Sequence, residues 1–81
     1  MEITVRFFAS YREMFGQDPV TLALPEGSTV AAALERLAER YPDLSRQTYA
    51  PLTACNLEHV EAGHVLMPGD DLAVFPPVSG G

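Results

Sequence analysis

The segment Pro76-Pro77-Val78-Ser79-Gly80-Gly81 joins a stiff, small-residue stalk to a diglycine end, and the Gly81 carboxylate is the group in this sequence best suited to carry chemistry. A carboxylate is a poor electrophile at neutral pH, because its charge and resonance resist attack. It must therefore be activated as an acyl derivative before it can transfer anything. Glycine has no side chain to obstruct a narrow channel, and it tolerates backbone angles that other residues avoid. The paired prolines fix φ and offer no N–H, so they end a strand ladder and favour an extended exit from the body. Six residues at about 3.3–3.6 Å each reach roughly 20 Å, enough to enter a partner's pocket while the body stays outside.

No second constellation competes with the tail. His59 and His64 flank Glu61, but two histidines and one carboxylate in a loop make a weak ligand set, so they read as surface residues and no metal is expected. Pro68-Gly69-Asp70-Asp71 is sound turn chemistry by itself. Cys55, the only cysteine, lies in the strand-like run Leu52-Thr53-Ala54-Cys55-Asn56-Leu57 and reads as a buried, inert thiol. There is no phosphate-binding glycine loop and no nucleophile with an adjacent base. Partners must complete the chemistry. Five arginines and no lysine stand against eleven acids, a net charge of −6 that opposes nucleic acid and anionic membranes and favours a basic partner surface. No apolar run approaches a membrane span, and Met1-Glu2-Ile3-Thr4-Val5-Arg6 lacks the order of a signal peptide, so a cytoplasmic protein is expected.

The positioning elements follow from periodicity. Ile3, Val5 and Phe7 alternate with Thr4, Arg6 and Phe8, the period of a half-buried strand. Ser10-Tyr11-Arg12-Glu13 fits a capping box opening one helical turn that Gly16 closes. Val20, Leu22 and Leu24 alternate in a second strand. Ser28 can cap a main helix whose stripe Val30, Ala33, Leu34, Leu37, Ala38 and Tyr41 faces a sheet, while Glu35, Arg36, Glu39 and Arg40 form its wet side. Pro42 stops that helix, and residues 43–50 have loop composition. Strands follow near Leu52 to Leu57 and from Leu72 to Phe75, with residues 58–67 irregular or a short strand. The order ββαβββ predicts an α+β fold of the β-grasp kind, a mixed sheet packed on one main helix, with a body over residues 1–75 and an extended tail over 76–81. First and last strands then lie parallel at the sheet centre. Arg6 and Phe8 face outward with Ala73 and Phe75, a candidate docking patch at the root of the tail.

Val5-Arg6-Phe7-Phe8-Ala9, Arg12-Glu13, Asn56, and the run from Pro68-Gly69-Asp70-Asp71 through Phe75-Pro76-Pro77 to Gly80-Gly81 resemble the molybdopterin synthase small-subunit family over nearly the whole chain. His59 stands where that resemblance implies an apolar residue. The resemblance implies a ubiquitin-like sulfur carrier with no stably bound cofactor. An E1-like adenylating enzyme would use ATP to form an acyl-adenylate on Gly81, and a sulfur donor would convert it to a thiocarboxylate. A large synthase subunit, joined to the carrier in a heterotetramer, would then present cyclic pyranopterin monophosphate to the sulfur. Carriers for thiamin, tRNA or cysteine pathways, and ubiquitin-like modifiers that acylate lysines, use the same tail chemistry and remain open alternatives.

Overall fold

Alternation and stripe translate directly into a sheet and a helix. The structure, a computed structural model, describes residues 1–46 and 50–77. The strands are β1 (Glu2–Phe7), β2 (Val20–Ala23), β3 (Leu52–Cys55), β4 (Glu58–Val60) and β5 (Asp71–Phe75), and the helices are α1 (Ser10–Phe15) and α2 (Val30–Arg40). They form one five-stranded sheet in the order β2-β1-β5-β3-β4, with β1 and β5 parallel at its centre and the other pairs antiparallel. This is the ubiquitin-like β-grasp expected from the element order. No helix among the described residues is long and apolar enough to cross a membrane.

One face of the sheet is covered by α2. Ile3, Val5, Phe7, Leu22, Leu72 and Val74 meet Val30, Ala33 and Leu37 there, all of them buried. Leu34 and Tyr41 pack at the margin of this core, so the predicted stripe holds from Val30 to Tyr41. Burying a Leu or Val of this kind is worth about 1.5–3 kcal/mol, and the core rests on some ten of them. Arg36 and Arg40, read in sequence as solvated, donate to the Ala23 and Thr21 carbonyls at 3.2 and 3.4 Å. They occupy part of the open edge of β2, a common protection against unwanted strand pairing.

Three local expectations are corrected. The side chain that caps α2 is Thr29, whose hydroxyl accepts from the Ala32 N–H at 3.2 Å, while Ser28 donates to the Pro25 carbonyl at 2.6 Å. Either hydroxyl satisfies the sequence rule, and the extended backbone at Thr29 decides between them. Ser10 is the first residue of α1 rather than its cap. The cap is Ala9, at φ 53°, and it offers no side-chain bond. Burial outweighs capping here: Tyr11 is drawn into the core beside Phe15, with their rings 5.4 Å apart. Finally, Pro42–Arg46 is a short 3-10 helix rather than loop, held by burial of Leu44.

Thr29→Ala should lower stability by about 1 kcal/mol, and Ser28→Ala by much less. Urea unfolding of the two variants checks the cap assignment; the reverse order would return the cap to Ser28.

Candidate functional site

The outer face of the sheet, away from α2, is built by strand register. Arg6 lies opposite Ala73, Ala73 opposite Ala54, and Ala54 opposite His59, so one row crosses four strands. Phe75 lies opposite Leu52, and its ring stacks on Phe8 with centroids 4.9 Å apart and planes 19° from parallel. Both aromatics are half-buried. The parallel β1–β5 pairing that brings them together continues past β1, where the Phe8 N–H donates to the Val74 carbonyl at 3.1 Å. Pro76 and Pro77 follow Phe75 directly, so the chain leaves the body at the edge of this aromatic stack.

A hollow of about 380 Å³ on the same face is lined by Arg6, Phe8, Asn56, Leu57, Asp71 and Ala73. Arg6 Nε lies 2.8 Å from an Asp71 oxygen, an exposed ion pair that sets the guanidinium along the floor more than it adds stability. Leu57 forms the rim and is 100% exposed. The strand anticipated to run to Leu57 ends at Cys55, because Asn56 and Leu57 form a two-residue hairpin turn with φ of 49° and 74°. Positive φ at both central residues marks the turn whose twist suits a hairpin, and asparagine is at home there. Leucine is not. The non-glycine residues with positive φ among those described are Ala9, Asn56 and Leu57, one adjoining Phe8 and two on the rim of the hollow. Positive φ at the exposed Leu57 is the kind of backbone outlier that points to a functional surface.

The hairpin is tied to the start of β5 through Asp70. Its carboxylate accepts from the Met67 N–H at 2.8 Å, from Asn56 Nδ2 at 3.0 Å, and from the Cys55 thiol at 3.3 Å. Asn56 Oδ1 in turn accepts from the Asp71 N–H at 3.0 Å. Burial acts to raise the Asp70 pKa, but the bonds from Met67, Asn56 and Cys55 outweigh it, and the carboxyl sits below its ordinary value. Cys55 moves the other way. Burial first, then its bond to Asp70 and the charges of Asp70, Asp71 and Glu58, push the thiol up to about 11. With no cation bound it stays protonated at neutral pH, which suits a thiol that takes no part in sulfur transfer.

A family model described as the ThiS family matches residues 5–81. The chain belongs to the ThiS family. A molybdopterin synthase sulfur carrier subunit of Arabidopsis thaliana is 36% identical over 81 residues, spanning 100% of this chain and 84% of the relative. The Escherichia coli (strain K12) protein of the same name is 38% identical over 82 residues, with 98% and 99% covered. The crystal structure of SAMP1 from Haloferax volcanii superposes with a TM-score of 0.83 at 32% identity, covering 100% of both chains. The resemblance read from the tail and the front strand is thus confirmed at the level of family and fold.

Arg6, Phe8 and Phe75 come together on the outer face of this ThiS-family chain, at the tail root. Val78, Ser79, Gly80 and Gly81 lie outside the described residues. His59 occupies the outer row, where the family resemblance implied an apolar side chain, whereas His64, exposed as expected, presents its imidazole beside Cys55 and Asp70. Two patch residues escaped the sequence reading. Leu52 is 38% exposed beside Phe75, and its outward direction follows from the same alternation that buries Thr53 and Cys55. Leu57 looked like a strand residue, and only the preceding Asn hinted at a turn.

Asp70→Asn should cost about 1–2 kcal/mol near neutral pH by removing charge-assisted bonds. The lowered carboxyl contributes stability above the unfolded aspartate pKa of about 3.9 and loses it as pH falls through the folded value. The gap between wild type and variant in urea unfolding should therefore shrink below about pH 4; a gap independent of pH would refute the assignment.

Proposed function

We propose that this protein is the sulfur carrier subunit of a molybdopterin synthase, with the Gly81 carboxylate as the atom group that is loaded and discharged. The observation that carries the reading is the placement of the tail root. The central strand β5 runs directly into Pro76-Pro77 at the border of an outer face bearing Phe8, Phe75, Leu52 and Leu57, so a partner that grips this face receives the tail in a fixed direction.

An E1-like enzyme docks on the outer face and attaches adenylate from ATP to Gly81, releasing pyrophosphate. Sulfur from a donor then displaces AMP and leaves a C-terminal thiocarboxylate. The large synthase subunit binds the same face in the heterotetramer, and the tail delivers sulfur to cyclic pyranopterin monophosphate. Hydrolysis of the acyl–sulfur link returns the carboxylate. The carrier contributes position and a reactive atom, and its partners contribute the acid–base and electrostatic groups. Val78 and Ser79 pass through the partner's channel, where small side chains are required. Cys55 takes no part.

The likeness to the Haloferax volcanii SAMP1 structure, a small archaeal modifier protein by name, favours one second reading, a protein modifier; on that reading activated Gly81 would acylate lysines on other proteins. Supplied with large subunit and pterin precursor, the loaded protein should form the dithiolene product and return to the plain carboxylate. Stable Gly81-to-lysine links accumulating while the precursor stays unchanged would replace the carrier reading with the modifier one. Deleting Gly81 should abolish product formation and leave thermal unfolding nearly unchanged.

The strained rim gives a further check on the docking face. Leu57→Gly relieves a positive φ and removes a side chain that touches little, so stability should be unchanged or raised by up to about 1 kcal/mol. Affinity for the large subunit should nevertheless fall by about 1–3 kcal/mol, as for loss of an exposed interface anchor. Equal affinity, measured by calorimetric titration, would remove Leu57 from the docking surface.

A further inference from the structure

On the helix side of the hairpin, the end of β3, the segment 61–67 and the turn before β5 converge. Cys55, His64 and Asp70 each present one ligand atom there, and these atoms all lie within 4.8 Å of one another. We propose that they form a binding site for a thiophilic divalent cation of the zinc class. The site is separate from the outer face and does not depend on the role given to Gly81.

Geometry and donor type both support the site. Zinc binds sulfur at about 2.3 Å and carboxylate oxygen at about 2.1 Å, which at a tetrahedral angle sets the two donors about 3.6 Å apart. Cys55 Sγ already lies 3.3 Å from Asp70 Oδ2. That pair needs almost no movement. His64 is an exposed side chain on a pinned backbone, since its N–H donates to the Glu61 carbonyl at 3.0 Å and its carbonyl accepts from the Val30 N–H at 2.9 Å. Its ring nitrogen already lies within 4.8 Å of the other two donors, so the approach left to make is short. The Asp70 carboxylate is oriented by the Met67 N–H and Asn56 Nδ2, the outer hydrogen bonds that metal-binding carboxylates characteristically have.

A sulfur, nitrogen and oxygen set suits zinc or its soft neighbours and not magnesium or calcium, which take oxygen ligands. The three side chains line an open hollow of about 350 Å³ with room for a water at the fourth position. Binding forms the sulfur–metal bond as the thiol proton leaves to solvent, so no oxidant or reductant is involved. Because Asn56 is bonded to Asp70 and precedes Leu57, a bound ion would also fix the hairpin that carries the outer rim. The sequence alone hid this site, since the ligands are spaced nine and six residues apart in three different elements.

Titration of the full-length, metal-stripped protein with zinc chloride should give one ion per chain and a higher unfolding temperature. His64→Ala, an exposed change whose folding is checked by circular dichroism, should weaken uptake at least tenfold, and His59→Ala should change it less than twofold. Cobalt(II) in place of zinc should give a thiolate-to-metal absorption band that is lost in Cys55→Ser. The proposal is overturned by no saturable uptake in excess zinc, by equal affinity in wild type and His64→Ala, or by cobalt binding without the sulfur band.

Discussion

The parallel pairing of β1 with β5 is the constraint on which the rest of the molecule depends. These two strands occupy the sheet centre with Ile3, Val5, Phe7, Leu72 and Val74 buried on one side, so their register is held by the whole core. A slip of one residue would turn every one of these side chains to the opposite face. The same register fixes everything on the outer side: Phe8 beside Phe75, Arg6 beside Ala73, and the exit of the tail at Pro76. Folding energy spent on the buried face thereby orients the exposed one.

The second tie runs through Asp70 to the hairpin. A single carboxylate closes the Pro68-Gly69 turn, holds Asn56 and accepts from Cys55, so the start of β5 is tied to the end of β3. That tie lets the hairpin keep Leu57 in a conformation a leucine disfavours and hold it in solvent. An exposed, strained apolar residue has no stabilising role in the isolated domain. On the proposed reading it presents a fixed surface to a partner, and the cost is spread over the hydrogen bonds that hold the turn.

Much of this was legible in the sequence because two periodicities carry it. Strand alternation set the faces of Ile3 to Phe8 and Leu72 to Phe75, and the stripe from Val30 to Tyr41 placed the helix. What failed was local and competitive. Ser28 and Thr29 are adjacent hydroxyls, and backbone angle, invisible in the sequence, selects Thr29. Ser10 matched a capping box, but burial of Tyr11 set the chain's path and left Ala9 at the helix start with an unusual φ. Leu57 was absorbed into a strand because its composition is that of one. His59 and His64 are both exposed, as surface residues should be, but nothing in the sequence shows that the fold carries His64 to Cys55 and Asp70. Long-range convergence of this kind has no sequence period to reveal it.

On the proposed reading the chemistry of this chain resides in the Gly81 carboxylate and not in a side chain. Intact-mass and peptide analysis after incubation with an E1-like enzyme, ATP and a sulfur donor tests it most directly. One oxygen should be exchanged for sulfur, confined to the peptide that ends in Gly81 and undiminished in Cys55→Ser. Sulfur found on Cys55, or loading abolished by Cys55→Ser, would contradict that reading.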